Sequence, residues 1–372
     1  MRPESQQITN EILQFIHQYP EGLPPEAETN FNELAIKLFN FQFKFNLPYK
    51  KFCQTKRKTP LTVKNWRDIP AIPLQGFKEM VLSSESVEDA EAVFMTSGTT
   101  NPNAKGKNYH PTLAVWDASM KCPFKHFVLP DVEKITMFVL SPAANLNQNS
   151  SLSRYLTNAV TFFGTENSRF FFNEKGLDME GLTNALKESE ERGEPILLIG
   201  ATFAYVHVLD YLKEKNVRFQ LGKGSRIFDT GGFKGQSREI EMDHLYYMFK
   251  EYFHVDRTMC INMYGMTELS SQIYDQTILS NYLTGTTVFD KTGPAWVKTI
   301  VLDANTLEPV SNGVAGVIAH YDLANWNSCQ AILTEDLGYR TEEGFVLLGR
   351  VKGSEARGCS IAIDQLLQAN GK

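Results

Sequence analysis

Apolar residues recur at helical spacing near the start of the chain. Ile8, Ile12, Leu13, Phe15 and Ile16 form one stripe, which Pro20 and Gly22 end. Phe31, Leu34, Ala35, Leu38 and Phe39 form a second, followed by an aromatic-rich stretch to Tyr49. Two amphipathic helices are predicted. Residues 69–74 hold Pro70 and Pro73 and read as extended, because proline disfavours helix at the residue before it. The aromatic side chains of residues 1–90 read as core, in a helical region to which no chemistry is assigned.

From 91 to 284 the pattern alternates. Short apolar runs at 92–95, 135–140, 160–163, 196–199, 227–228 and 260–263 predict strands, and 178–192 and 238–253 predict helices between them. Strand and helix in alternation imply a layered αβα core around a largely parallel sheet covered on both faces. Beyond 285 the texture changes to short apolar runs, 297–302 and 314–319, punctuated by Gly293-Pro294, Asn312-Gly313 and Gly338. This predicts a smaller β-rich subdomain over 285–372.

Composition adds exclusions. The 372 residues are 42% hydrophobic and 22% charged with a net charge of −6, so no global basic field favours nucleic acid or an anionic membrane. The longest mostly apolar run, 196–209, has 14 residues and holds Gly200, Thr202 and His207. It falls short of the ~20 residues a membrane span needs. The start, Met1-Arg2-Pro3-Glu4, carries no apolar signal core. Five widely spaced cysteines without a Cys-x-x-Cys pair speak against a disulfide framework or structural zinc, and a cytoplasmic protein is expected.

In parallel sheets ligands sit beyond the carboxyl ends of strands, and four predicted strand ends here are polar or glycine-rich. Residues 96–107 follow the first strand with four hydroxyls, two glycines and two lysines: Thr96, Ser97, Gly98, Thr99, Thr100, Lys105, Gly106 and Lys107. Glycines admit a ligand to the backbone, hydroxyls donate to phosphate oxygens, and lysine supplies opposite charge. The stretch is neither a P-loop, which ends in Gly-Lys-Ser/Thr, nor a Gly-x-Gly-x-x-Gly fingerprint. Tyr264-Gly265-Met266-Thr267-Glu268 offers a ring to stack on a base and a carboxylate to hold Mg²⁺ beside phosphates. Asp336 at a predicted strand end is placed to accept from sugar hydroxyls, with Arg350 in reach of the same sugar or a phosphate. Gly200-Ala201-Thr202-Phe203 joins a glycine turn to an apolar helix start, and Asp229-Thr230-Gly231-Gly232 is the fourth such end.

In this order and spacing, over about residues 90–355, these stretches resemble the adenylate-forming superfamily: acyl-CoA synthetases, peptide-synthetase adenylation domains and firefly-type luciferases. The resemblance implies ATP as the nucleotide. It implies phosphate binding by Thr96, Ser97, Gly98, Thr99 and Thr100, and by Thr267. It makes Tyr264, with Gly265, the adenine contact, Glu268 the Mg²⁺ residue, and Asp336 and Arg350 the ribose contacts. Gly231 and Gly232 would form the floor between nucleotide and acyl group, and Gly200, Thr202, Phe203 and His207 the acyl pocket, His207 by packing.

The superfamily continues past its Gly-Arg-x-Lys hinge into a mobile lobe whose lysine assists adenylation. Here only 20 residues follow Lys352, which leaves Lys105 or Lys107 to bring that charge. With Arg357-Gly358-Cys359-Ser360 near its end, the chain looks like the acyl-protein synthetase family, the fatty-acid-activating component of bacterial luciferase-linked fatty acid reductases. That resemblance implies that Cys359 takes the acyl group as a thioester and passes it to a reductase subunit. On the residues alone, Arg357 beside Cys359 favours the reactive thiolate, and the other four cysteines read as structural. Two alternatives stand: a ligase delivering the acyl group to CoA or a carrier protein, with Cys359 incidental, and a non-catalytic nucleotide-binding subunit.

Overall fold

The computed structural model describes the chain except residues 23, 98–104, 233–236, 351–356 and 372, with the main chain alone at 357 and 359. Its contacts gather into two compact units, neither continuous in sequence. One joins Met1–Cys122, Met266–Gln272 and Asp290–Lys372; the other joins Pro123–Gly265 and Ile273–Phe289.

The first unit begins with α1 (Pro3–Gln18), α2 (Glu28–Phe45) and α3 (Leu47–Thr55). Each buries the apolar face its spacing predicts: Ile8, Ile12 and Ile16 on α1, Phe31, Leu34 and Leu38 on α2. Fully burying such a side chain is worth about 1.5–3 kcal/mol. The extended stretch yields β1 (Ile72–Pro73), followed by one turn of helix, α4 (Gly76–Glu79). β2 (Ala92–Met95) and β3 (Lys107–His110) then pair antiparallel, Met95 opposite Lys107, before α5 (Ala114–Pro123).

The second unit holds the parallel sheet. β4 (Thr136–Val139), α6 (Ser151–Phe163), β5 (Arg169–Phe170), a small β6–β7 hairpin (Phe172–Asn173, Gly176–Leu177) and α7 (Met179–Arg192) come first. β8 (Ile196–Ala201), α8 (Thr202–Lys215), β9 (Arg226–Thr230), α9 (Met242–Phe253), β10 (Cys260–Tyr264), β11 (Ile273–Asp275) and α10 (Thr277–Thr284) follow. The strands lie in the order β5-β4-β8-β9-β10-β11, all parallel except the last pair. Alternation on β9 sends Ile227 into the core shared with α7, α8 and α9, while Phe228 turns the other way and stacks on Tyr155 of α6. Residues 160–163, expected as a strand, are the last turn of α6. The Val-Thr-Phe-Phe run has strand propensity, yet Tyr155, Leu156, Ala159 and Phe163 recur at helical spacing and are buried, and Ser150 caps the start. The helix expected at 238 begins only at Met242.

The chain then completes the first unit with β12 (Lys291–Thr292), β13 (Val297–Leu302), β14 (Gly316–Asp322), β15 (Ala331–Arg340), β16 (Phe345–Arg350) and α11 (Arg357–Ala369). The last four strands and β12 are antiparallel neighbours, and β1 adds to β15 in parallel, Ile72 opposite Ile332. Gln42 of α2 donates to the carbonyls of Asn325 and Trp326 at 2.9 and 3.0 Å and accepts from the amide of Gln330 at 3.1 Å. Asn46 donates to the carbonyl of Ser328 at 3.0 Å. The first helices are thereby fixed to the β14–β15 connection. Among the described residues no helix is long and apolar enough to cross a membrane.

Candidate active site

In the first unit, the β2–β3 hairpin carries the glycine- and hydroxyl-rich stretch. The amide of Thr96 donates to the carbonyl of Gly106 at 2.9 Å, and the amide of Gly106 donates to Thr96 Oγ1 at 3.0 Å. This reciprocal pair closes the base of the loop. Ser97 is exposed, Lys105 and Lys107 are half-buried, and Gly98, Thr99 and Thr100 lie outside the described residues. A Cβ on Gly106 would come within 3.1 Å of Thr96 Cγ2 and 3.3 Å of Glu268 Oε1. The missing side chain is what lets the Glu268 carboxylate against the loop base.

Glu268 is 5% exposed, and burial pushes its carboxyl above the usual carboxylate range. Its own main-chain amide, then the charges of Lys78 and Arg350, pull the other way. Thr267 beside it is half-buried. A buried polar clamp fixes this segment. Asn108 of β3 donates to the carbonyls of Thr267 and Glu268 at 3.1 and 3.4 Å. Asn325 donates to the carbonyls of Glu268 and Cys329, both at 2.8 Å, and its own oxygen accepts from Ser270 and Ser328. Asp322, the last residue of β14, accepts from the amides of Ser270, Ser271 and Ala324 and from the Ser271 hydroxyl, at 2.8–3.0 Å. Even so, full burial pushes the Asp322 carboxyl up to about 6.

Asp336 and Arg350 stand opposite each other on β15 and β16, with Arg350 Nε 3.7 Å from Asp336 Oδ1. The Asp336 side chain is largely buried and that of Arg350 is 73% exposed. Gly349, just before the arginine, has φ +116°, which L side chains rarely adopt.

In the second unit, three glycine-bearing ends meet. Gly200 on β8 has no room for a Cβ, which would lie 2.8 Å from Leu140 Cβ. Thr202, the first residue of α8, has its hydroxyl within 3.1–3.2 Å of Asp229 Oδ2 and the carbonyls of Thr230 and Gly231. Asp229 also accepts from Asn262 Nδ2 at 2.7 Å and from the Tyr246 hydroxyl at 3.1 Å. Gly231 turns with φ +74°, and Gly232 follows half-buried. Phe203 packs on the core of this unit, and His207, one turn on, is exposed with its ring 6.5 Å from that of Phe203. Tyr264 ends β10 half-buried, and Gly265 after it is exposed.

Cys359 lies in the first turn of α11. The amide of Gly358 donates to the carbonyl of Ala304 at 2.8 Å, and a Cβ there would stand 2.7 Å from the same oxygen, so the helix start is seated tightly on the turn after β13. Burial raises the thiols of Cys53 (to about 12), Cys122, Cys260 and Cys329, which makes all four poor nucleophiles. None of the four is disulfide-bonded.

Sequence reading brought Thr96, Gly106 and Glu268 into one site and paired Asp336 with Arg350. It missed Asn108, Asp322 and Asn325, which no motif marks. The only signal is that polar residues stand where the strand pattern calls for buried positions. It also gave no chemistry to residues 1–90, where Lys78 acts on Glu268.

Comparison with known proteins gives the lineage. The chain is 22% identical over 353 residues to the long-chain-fatty-acid–luciferin-component ligase of Aliivibrio fischeri, covering 92% of this chain and 89% of the relative. Its fold matches that of a 2-hydroxyisobutyryl-CoA ligase solved in its postadenylation state, with a TM-score of 0.62 at 12% identity over 89% of this chain and 69% of that one. A long-chain-fatty-acid–CoA ligase from Archaeoglobus fulgidus matches with a TM-score of 0.50 at 15% identity over 76% of this chain and 54% of that one, so the chain spans about half its length. The fold is that of the adenylate-forming ligases. A family model described as acyl-protein synthetase, LuxE, matches residues 17–368, and the chain belongs to that family.

Proposed function

We propose that this ligase joins a long-chain fatty acid to ATP as an acyl adenylate and then passes the acyl group to Cys359. The observation that carries this reading is the meeting of Thr96, Gly106 and Glu268 at one loop base, in a chain of the acyl-protein synthetase family. A carboxylate oxygen of the fatty acid attacks the α-phosphorus, the bond to the β-phosphate breaks, and pyrophosphate leaves with the electron pair. The Cys359 thiolate then attacks the acyl carbon and AMP leaves, forming a thioester. The acyl group goes on to a thiol of an acceptor protein such as a reductase subunit.

In this reading Thr96, Ser97, Gly98, Thr99, Thr100 and Thr267 hold phosphates, and Lys105 and Lys107 add charge near the α-phosphate. Tyr264 and Gly265 take the adenine, Asp336 and Arg350 the ribose. Gly231 and Gly232 line the boundary with the acyl chain, and Gly200, Thr202, Phe203 and His207 belong to the acyl side. Mg²⁺ fits Glu268: the ion is held by one or two carboxylates plus substrate phosphates rather than by an all-protein cage. Bound Mg²⁺ would neutralise polyphosphate charge, and Glu268, whose main-chain carbonyl Asn108 and Asn325 hold, would supply its carboxylate. The four other thiols are raised by burial, which leaves the acyl-acceptor role in this reading to Cys359. A cytoplasmic enzyme belongs to the same proposal.

The test is incubation with ATP, Mg²⁺ and radiolabelled tetradecanoic acid. Label on the wild-type polypeptide that neutral hydroxylamine removes, absent in Cys359→Ser while adenylate still forms, is the expected result. Adenylate without protein label in the wild type would overturn the thioester step and favour CoA or a carrier thiol, a reading to which the acyl-CoA-ligase fold lends weight. No adenylate with any of a panel of carboxylates would leave a non-catalytic nucleotide-binding subunit.

A further inference from the structure

Lys78 comes from the helical region in which sequence reading found no chemistry. Its place is set by rigid neighbours. β1 pairs with β15, the strand of Asp336, and the amide of Leu74 just after β1 donates to the carbonyl of Leu333 at 3.2 Å. Gln75 then hydrogen-bonds Glu335, the residue beside Asp336. Phe77 is buried, and a Cβ on Gly76 would stand 3.0 Å from Leu366 Cδ2 of α11, so α4 is wedged between the sheet and the last helix. The aliphatic stem of Lys78 leaves this base toward Gly106. Its γ carbon lies 3.6 Å from where a Gly106 Cβ would be, and Glu268 Oε1 lies 3.3 Å from the same point. The side chain itself is exposed, with its ammonium free to follow a ligand.

We propose that Lys78 is an anion-binding residue of this site, contacting the outer phosphates of ATP and the departing pyrophosphate. The inference rests on the ATP-site reading given above. The charge of Glu335 already acts on Glu268 here, and ATP brings further negative charge. Arg350 is already engaged across the β15–β16 pair with Asp336. A lysine ammonium is a compact point charge on a flexible stem, suited to a group that changes position as it leaves.

The test compares wild type with Lys78→Ala and Lys78→Arg. The measurements are fatty-acid-dependent ATP–pyrophosphate exchange and calorimetric binding of inorganic pyrophosphate with Mg²⁺. Lys78→Ala is expected to weaken pyrophosphate binding and raise the apparent KM for ATP about tenfold each. Its thermal unfolding should be unchanged, and Lys78→Arg should recover most of the loss. Retention of both parameters within about twofold in Lys78→Ala overturns the assignment. So does an equal loss in Lys78→Arg, which would mark a packing role of the stem. Glu268→Gln and Asp336→Asn, measured alongside, keep the two readings apart. If they lose exchange while Lys78→Ala does not, Lys78 alone is misassigned; if they too leave exchange intact, the ATP-site reading itself fails.

Discussion

Asp322 in the first unit and Asp229 in the second are both buried toward the carboxyl end of a strand, and the two are satisfied differently. Asp322 takes three of its four hydrogen bonds from main-chain amides, those of Ser270, Ser271 and Ala324. Asp229 takes its hydrogen bonds to described partners from side chains, Thr202, Tyr246 and Asn262, each on a different element. A carboxylate that binds amides dictates the path of the backbone, and here that path ends in Glu268. One that binds side chains ties elements together and leaves each backbone to its own ladder. The first kind serves a site requiring a segment of irregular chain to be held in one conformation. The second suits strand ends already in register.

Removing the carboxylates breaks the comparison open. Asp322→Ala strands three buried amides and should cost roughly 3–5 kcal/mol in urea unfolding, with adenylate formation falling beyond the loss of folded protein. The pH dependence is next in size. Burial raises the Asp322 carboxyl from 3.8 to about 6. Between these values the folded chain holds a proton that the unfolded chain has released. The contribution of this group is therefore most favourable below pH 4 and is lost as pH rises to about 6, by roughly 3 kcal/mol. The buried His110 and His320, whose ring pKa values burial pushes down to about 3, give both proteins an opposite slope, so the test is the difference: the unfolding free energy of wild type minus that of Asp322→Asn should fall by this amount between pH 4 and 7. Asp229→Ala, whose partners can turn to other acceptors, should cost about 2–3 kcal/mol. A cost equal to that of Asp322→Ala would erase the distinction between amide and side-chain donors. Thr202→Val removes one of the donors to Asp229 and should cost about 1 kcal/mol, with the effect on fatty-acid KM larger than on ATP KM.

The two aspartates also differ in how visible they are in sequence. Asp229 stands before Gly231-Gly232 at the end of an apolar run, so its neighbourhood reads as a strand end facing a ligand. Asp322 sits in Asp-Leu-Ala-Asn, which carries no glycine or hydroxyl signature, and its partners Ser270 and Ser271 lie some fifty residues away. Strands such as Ala92–Met95 and Cys260–Tyr264 were legible because period and turn residues agree there. The 160–163 run misled because local β-propensity opposes a helical burial pattern that only shows over the whole of α6. Thr96, Glu268, Asp336 and Arg350 stood out by type and spacing. Lys78 and Asn325 did not, because what brings them to Glu268 is the pairing of β1 with β15 and the turn after β14.

That pairing also has a consequence for biosynthesis. β1 meets β15, and Gln42 of α2 meets the β14–β15 connection, only after residues 325–332 have been made, whereas the second unit is nearly continuous. Gln42 and Asn325 are 283 residues apart, so at about 5–20 residues per second the leading segment waits on the order of 15–55 s on the ribosome without these partners. The second unit, emerging in the middle, is free to fold first. Holdase chaperones should therefore crosslink to nascent chains halted near residue 260 through α1 and α2, and release them once β15 clears the exit tunnel.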